Sequence, residues 1–221
     1  MGDEMPDAKT DTKPVIIAVL GSSGSGKSEV AKHLAVHYRF TRVRFAEPLK
    51  DMLRAIGLTA YQLDGPQDVR NLPSYVLCGK SPRYAMQTLG TEWRDFIGKE
   101  LWSRILHHRI EDMLTHTETR RFVIDDARFH HEMPMLRDLG AVIVAVRRKI
   151  VEPTRTDLFF ARIPLPKLVR AAFHVLFGVR PLHISETEWF GIKPDIVIDN
   201  NGPLGGLWSA IDDLVALKDE T

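Results

Sequence analysis

Gly21-Ser22-Ser23-Gly24-Ser25-Gly26-Lys27-Ser28 fits G-x-x-x-x-G-K-[ST], a spacing that builds a cradle for phosphate. Glycines let backbone N–H groups turn inward around an anion with no Cβ in the way. A helix opening at the end of such a loop adds partial positive charge at its N-terminus. Lys27 is placed to reach β- and γ-phosphates, and the Ser28 hydroxyl to ligate Mg²⁺. The loop therefore points to a triphosphate such as ATP together with Mg²⁺, and leaves the recipient of the phosphoryl group open.

A metal held this way needs a carboxylate from a neighbouring strand, usually through water. Asp125 and Asp126 end the apolar run Phe122-Val123-Ile124. Burying a charge without a partner is costly, so these acids are poor core residues. One is expected to face the metal and the other to cap or pair with a neighbour; the end of the apolar run favours Asp125 for the metal. Phosphoryl transfer also gathers about five or six negative charges, counting about two on each terminal phosphate. Cations must then converge from separate segments, and Lys27, Arg83, Arg94, Arg128 and Arg147 are available. Gln87, one helical turn after Arg83, can bond a base while Arg83 grips phosphate. Several of these have a plainer reading as well. Arg128 can pair with Glu132 four residues on, Glu92 and Arg94 can be helix-surface charge, and Phe45 and Trp102 can be core aromatics rather than base stackers.

These groups need elements to hold them. Val15–Leu20 is a continuous apolar run of strand length, and Val30, Ala31, Leu34, Ala35 and Tyr38 then recur at helical spacing. Residues 42–46 form a short strand candidate, followed by a helix from Glu47 to Ile56 with Pro48 in its first turn and Gly57 as its stop. Residues 57–80 read as irregular, with Gly65-Pro66 and Leu72-Pro73 as breakers. Ser81-Pro82-Arg83 opens a helix to about Ile97, and Leu101–Leu114 is another. Residues 122–126 and 141–146 are buried strands flanking a helix at 131–139. Residues 147–183 carry eight basic residues against Glu152 and Asp157, with an amphipathic helix expected at 166–177. They read as a mobile lid over phosphates, or as an apolar face packed on the domain with a solvated basic side. Ser185 and Glu188 make a capping box. Ile196–Ile198 is the last strand and Leu204–Leu217 the closing helix. Strands alternating with helices imply an α/β fold whose parallel sheet is covered on both faces.

Bulk properties narrow the function classes. A chain of 221 residues with 44% apolar and 27% charged residues is expected to form one soluble domain with a real core. A formal net charge of +1 gives no drive toward nucleic acid. The single cysteine, Cys78, excludes an internal disulfide and a cysteine-based zinc site, and the adjacent pairs His107-His108 and His130-His131 do not share a helix face. No apolar run approaches membrane-spanning length and no signal peptide is visible, so a cytoplasmic location without stable membrane association is expected. Residues 1–13 read as a disordered polar tail.

The motifs in order are more specific than any one of them. After the loop come Phe45-Ala46-Glu47-Pro48-Leu49-Lys50, then Ser81-Pro82-Arg83 with Gln87-Thr88-Leu89-Gly90-Thr91-Glu92 and Arg94. Asp126-Ala127-Arg128-Phe129 with Glu132, Arg147 after a strand, His183-x-Ser185-Glu186 and Asn200-Asn201-Gly202 complete the series. In that order, over residues 15–217, the sequence resembles the deoxynucleoside monophosphate kinases of tailed bacteriophages, within the P-loop nucleoside monophosphate kinase superfamily. The resemblance implies a P-loop three-layer αβα fold, a single kinase domain over 14–221 with an acceptor-binding region at about 45–118 and a lid at about 147–183. It implies ATP-dependent phosphorylation of a deoxynucleoside 5′-monophosphate to the diphosphate. Residues 21–28 would hold ATP, and Lys27, Arg128 and Arg147 would act on the transferring group. Phe45, Lys50, Arg83, Gln87, Glu92, Arg94 and Trp102 would form the acceptor site. Ser28 and Asp126 would hold Mg²⁺, with Asp125 as the alternative, since the match to D-x-R-F favours Asp126. Binding of nucleic acid is not expected, a homodimer is left open, and a phage-encoded chain would work in the host cytoplasm. The rival readings are a P-loop kinase for another small phosphorylated acceptor, such as phosphomevalonate or dephospho-coenzyme A, and an ATP-dependent switch acting through residues 147–183.

Overall fold

A computed structural model describes residues 13–163 and 187–219, with Leu176 between them. The apolar runs become five parallel strands: β1 (Val15–Leu20), β2 (Thr41–Val43), β3 (Arg121–Ile124), β4 (Val142–Arg147) and β5 (Ile196–Asp199), in the order β2-β3-β1-β4-β5. β1 lies at the centre, with Ile16 beside Phe122 of β3 and Val19 beside Val144 of β4.

Strand periodicity explains the layers. Successive side chains point to opposite faces, so Ile16, Ala18 and Leu20 join one core with Phe122, Ile124, Ile143 and Ala145. Helices α2 (Glu47–Ala55), α7 (Leu101–His116) and α8 (Met133–Asp138) close that face through Leu49, Leu106, Ile110 and Leu136. Ile17 and Val19 face the other way with Val123, Val144 and Val146. They meet Val30, Ala31 and Leu34 of α1 (Lys27–Tyr38), and Leu207, Ile211 and Leu214 of the closing helix, α10 (Leu204–Asp219). A sheet buried on both faces needs runs without polar alternation, and the fold is the three-layer α/β arrangement that those runs imply. Among the described residues, no helix is long and apolar enough to cross a membrane.

Three expectations need revision. β2 stops at Val43 instead of continuing to residue 46, because the N–H groups of Phe45 and Ala46 are captured by the Asp126 carboxylate at 3.0 Å each. Residues 57–80 contain two short helices, α3 (Ala60–Asp64) and α4 (Gln67–Asn71). Thr59 and Gln62 form a reciprocal capping box at the start of α3, and Leu63 packs with Leu53 and Leu58. The helix opened by Ser81 is not continuous either. α5 (Pro82–Thr88) passes into a wide π turn over Leu89–Trp93 before α6 (Arg94–Ile97). In the basic segment, α9 (Arg155–Arg162) is capped by Thr154, whose hydroxyl accepts from the Asp157 N–H at 3.1 Å. The helix expected at 166–177 lies almost wholly outside the described residues, as do His183 and Ser185 of the later motif.

Candidate active site

In a parallel sheet every strand delivers its following loop to the same edge, so residues distant in sequence converge beyond the carboxyl ends. Here β1 leads into residues 21–26, β2 into Phe45 and Ala46, β3 into Asp125–Arg128 and β4 into Arg147 and Arg148.

The loop has the required backbone. Gly21 and Gly26 hold φ of 148° and 111°, values that side chains other than glycine rarely adopt. A Cβ on Gly21 would stand 2.4 Å from the Val146 carbonyl oxygen, and one on Gly26 would stand 2.5 Å from Nδ2 of Asn200. Asn200 donates Nδ2 to the Ser25 carbonyl at 2.8 Å and its own N–H to the Arg147 carbonyl at 2.7 Å. One buried side chain thus braces the loop against the ends of β4 and β5. The loop interior is polar. The hydroxyls of Ser22 and Ser25 are buried without a protein partner, while Lys27 Nζ donates to the carbonyls of Gly21 and Ser22 at 2.8 and 2.7 Å. Buried hydroxyls in this state are costly, and they suit a loop built around an anion. Ser23 and Ser28 are exposed. Beside the loop lies a cavity of about 350 Å³ bounded by Gly24, Lys27, Arg148, Asn200 and Leu204.

Asp125 and Asp126 separate sharply. Asp125, just past β3, accepts from the Ser28 hydroxyl at 3.3 Å and from Arg42 Nε at 2.8 Å, with Arg42 Nη2 on its second oxygen. Asp126 turns the opposite way and spends both oxygens on the Phe45 and Ala46 N–H groups. Burial, together with neighbouring Asp125, holds the Asp126 carboxyl above the usual carboxylate range despite those bonds. The carboxylate brought to Ser28 is therefore that of Asp125, and the preference for Asp126 that came from the D-x-R-F match gives way. Asp126 fastens the β2–α2 corner to the end of β3. Ser28 with Asp125 is a hard-oxygen pair suited to Mg²⁺, which takes few protein ligands and keeps water and phosphate for the rest.

The acceptor candidates meet mixed fates. Ser81 caps α5 as expected, accepting from the Tyr84 N–H at 3.2 Å with Pro82 at the first helical position. That cap fixes the first turn, where Arg83 is half-buried; Gln87 lies exposed at the far end of the helix. In the π turn the Gly90 carbonyl receives Nε1 of Trp102 at 3.1 Å. Trp102 and Phe45 are both buried in the larger core, so their plain reading holds and neither is free to stack on a base. Lys50 is also buried, with Nζ ion-paired to Asp64. Asp64 further accepts from Arg44 at 3.3 Å and Arg54 at 3.1 Å, tying α3 to α2. Glu92 is exposed, while the Arg94 guanidinium lies over the Phe129 ring at 5.3 Å. Phe129 adjoins Arg128, so Arg94 reaches the β3 loop by this contact. The backbone N–H groups of Arg128 and Phe129 donate to one oxygen of Glu132 at 2.6 and 3.0 Å. Glu132 is buried, and burial pushes its carboxyl up to about 8, against the pull of those two N–H groups. Arg147 is exposed at the end of β4.

Sequence reasoning missed Arg42, Asp64 and the bracing role of Asn200. The capping box at Thr59 could have revealed α3 and hence Asp64. Arg42 carries no local signal, because only the β2–β3 register, with Arg42 beside Val123, places it near Asp125.

The sheet order, the glycine-shaped loop and the oxygen pair beside it define a P-loop α/β fold with a site of the kind that holds nucleotide phosphates. The resemblance to deoxynucleotide monophosphate kinases is borne out by comparison: residues 79–160 match the model of the family described as deoxynucleotide monophosphate kinase. A protein of Acanthamoeba polyphaga mimivirus, provisionally named a deoxynucleotide monophosphate kinase, is 29% identical over 207 residues, covering 89% of this chain and 94% of its own. Among solved structures, a Thermus thermophilus protein aligns over 93% of this chain and 98% of its own, with a TM-score of 0.49 and 17% identity. Dephospho-CoA kinase from Campylobacter jejuni aligns over 91% and 95%, with a TM-score of 0.45 and 15% identity.

Proposed function

We propose that the enzyme transfers the γ-phosphoryl group of ATP to a deoxynucleoside 5′-monophosphate, releasing ADP and the deoxynucleoside diphosphate. The observation that carries this reading is the family match at 79–160. That span contains Arg83, Gln87, Glu92, Arg94 and Arg128, so it spans the acceptor block and the segment just past β3.

The donor phosphates lie in residues 21–28, at the N-terminus of α1. Lys27 exchanges the Gly21 and Ser22 carbonyls for phosphate oxygens. The cavity beside Arg148 and Asn200 receives the nucleoside part of ATP. Ser28 and Asp125 would hold Mg²⁺, which would supply neutralisation of phosphate charge. Arg83 grips the acceptor phosphate and Gln87 the base, while Arg128 and Arg147 steady charge on the transferring group. Trp102 and Phe45 position this site from the core without touching the base. Catalysis in this scheme is positioning plus electrostatics, and exclusion of water falls to the segment after Arg147.

ADP release coupled to an indicator reaction, run over all deoxynucleoside and ribonucleoside monophosphates and a panel of phosphorylated metabolites, tests the reading. Turnover that depends on a deoxynucleoside monophosphate is expected. Stimulation only by a non-nucleotide acceptor, or by no acceptor at all, would overturn it.

A further inference from the structure

Arg42 sits on β2, at the edge of the sheet, and reaches over β3 to the oxygen pair of the site. Its Nε donates to one oxygen of Asp125 at 2.8 Å, its Nη2 donates to the other, and the same Nη2 lies 3.4 Å from the Ser28 hydroxyl. The Asp125 side chain is only 3% exposed, whereas that of Arg42 is 32% exposed. The carboxylate is fixed and dry; the guanidinium approaches it from the solvent side and can withdraw.

Chemistry makes this placement consequential. A two-pronged guanidinium fills both inward-facing lone pairs of a carboxylate. It also supplies the positive charge that a nearly buried carboxylate needs, since an unpaired one is strongly destabilising. A divalent cation bridging Ser28 and Asp125 would need the same oxygens and bring the same kind of charge to the same spot.

We propose that Arg42 is a resident cation in the metal bay, bridging Ser28 and Asp125 in the nucleotide-free enzyme and leaving when a divalent ion enters. Arg42 then keeps Asp125 neutralised and correctly turned between turnovers, and it raises the concentration of metal needed to occupy the bay without nucleotide. This assignment rests on the reading of Ser28 and Asp125 as the metal pair and is independent of which acceptor is phosphorylated.

Mn²⁺ titration of the full-length, nucleotide-free protein, with free ion counted by electron paramagnetic resonance, reads the competition directly. Arg42→Gln is expected to bind Mn²⁺ at least about tenfold more tightly than the parent, a gain of about 1.4 kcal/mol. Arg42→Lys, which keeps the charge but has one prong, is expected to fall between them. The double variant Arg42→Gln/Asp125→Asn is expected to lose the gain. In metal-free buffer Arg42→Gln should melt below the parent, with Mn²⁺ recovering more of its melting temperature than it adds to the parent. If Arg42→Gln proves insoluble, Arg42→Lys alone decides the matter. Affinity for Mn²⁺ equal to or weaker than the parent's in a folded variant, or a gain that survives removal of Asp125, would overturn the proposal. Failure of the acceptor assignment would instead leave these titrations unchanged while abolishing nucleotide-dependent ADP release.

Discussion

At the scale of single residues, neighbours in the chain can hold opposite jobs, and Asp125 and Asp126 show how. Asp125→Asn removes charge beside Ser28. It is expected to lower kcat by at least about a hundredfold, as loss of one strong charge-stabilising group does, while leaving the Michaelis constant of the acceptor within about threefold. Asp126→Asn keeps the shape but points an amide at a backbone N–H. It is expected to cost about 1–3 kcal/mol in chemical unfolding and to raise the acceptor Michaelis constant, because the corner at Phe45 and Ala46 loosens. Equal effects of the two variants on kcat would show that their roles are not separate. Glu132 gives a pH test. Its folded carboxyl lies near 8, above the ordinary value of 4.5. The unfolded chain therefore releases this proton first, and the folded state is favoured less as pH rises between about 4.5 and 8, by at most about 1.4 kcal/mol per pH unit. Glu132→Gln should flatten that slope when urea midpoints are compared at pH 5 and pH 8; an unchanged slope would remove Glu132 as its source.

At the scale of elements, the strands and long helices were legible because burial on both faces of a parallel sheet demands continuous apolar runs, and Val15–Leu20 and Val142–Val146 have little other use. The loop at 21–28 was legible because its chemistry is local. The features that escaped notice depend on partners far along the chain. β2 ends early because of Asp126, and Arg42 matters because of strand register. The π turn at Leu89–Trp93 depends on Trp102, whose indole N–H takes up a carbonyl of that turn. Inserted residues of this kind re-aim the next stretch of helix and recur at functional sites, and here the next residue is Arg94. Trp102→Phe fills most of the same space but leaves the Gly90 carbonyl without its indole donor. A loss of about 1–2 kcal/mol in stability is expected, with a larger proportional rise in the acceptor Michaelis constant than in that of ATP. A rise confined to ATP would assign the turn to the donor side.

At the scale of the whole molecule, two cores back onto one central strand, so damage to either face reaches the loop that β1 carries. Ile17→Ala, within the α1–α10 core, is expected to cost about 2–5 kcal/mol, measurable as a shift of the urea midpoint. Helices α1 and α10 are also joined through Asp212, which accepts from the Tyr38 hydroxyl at 2.8 Å and shares a 2.7 Å contact with His33 Nε2. Those partners hold the Asp212 carboxyl below its ordinary range. Its contribution is complete above the ordinary carboxylate value and fades as pH falls through the lower folded value. Asp195 also lies below its ordinary range, opposed by burial and held there by Arg137 and the Ile143 N–H, so the molecule should lose stability in acid at more than one seam. The brace from Asn200 to Ser25 has a further consequence in time. Its two ends lie 175 residues apart, so the phosphate loop leaves the ribosome long before Asn200 and gets its final shape only after Asn200 has followed. Nascent chains halted before Asn200 should fail to be retained on immobilised nucleotide, so the donor site would form long after its own loop has been synthesised.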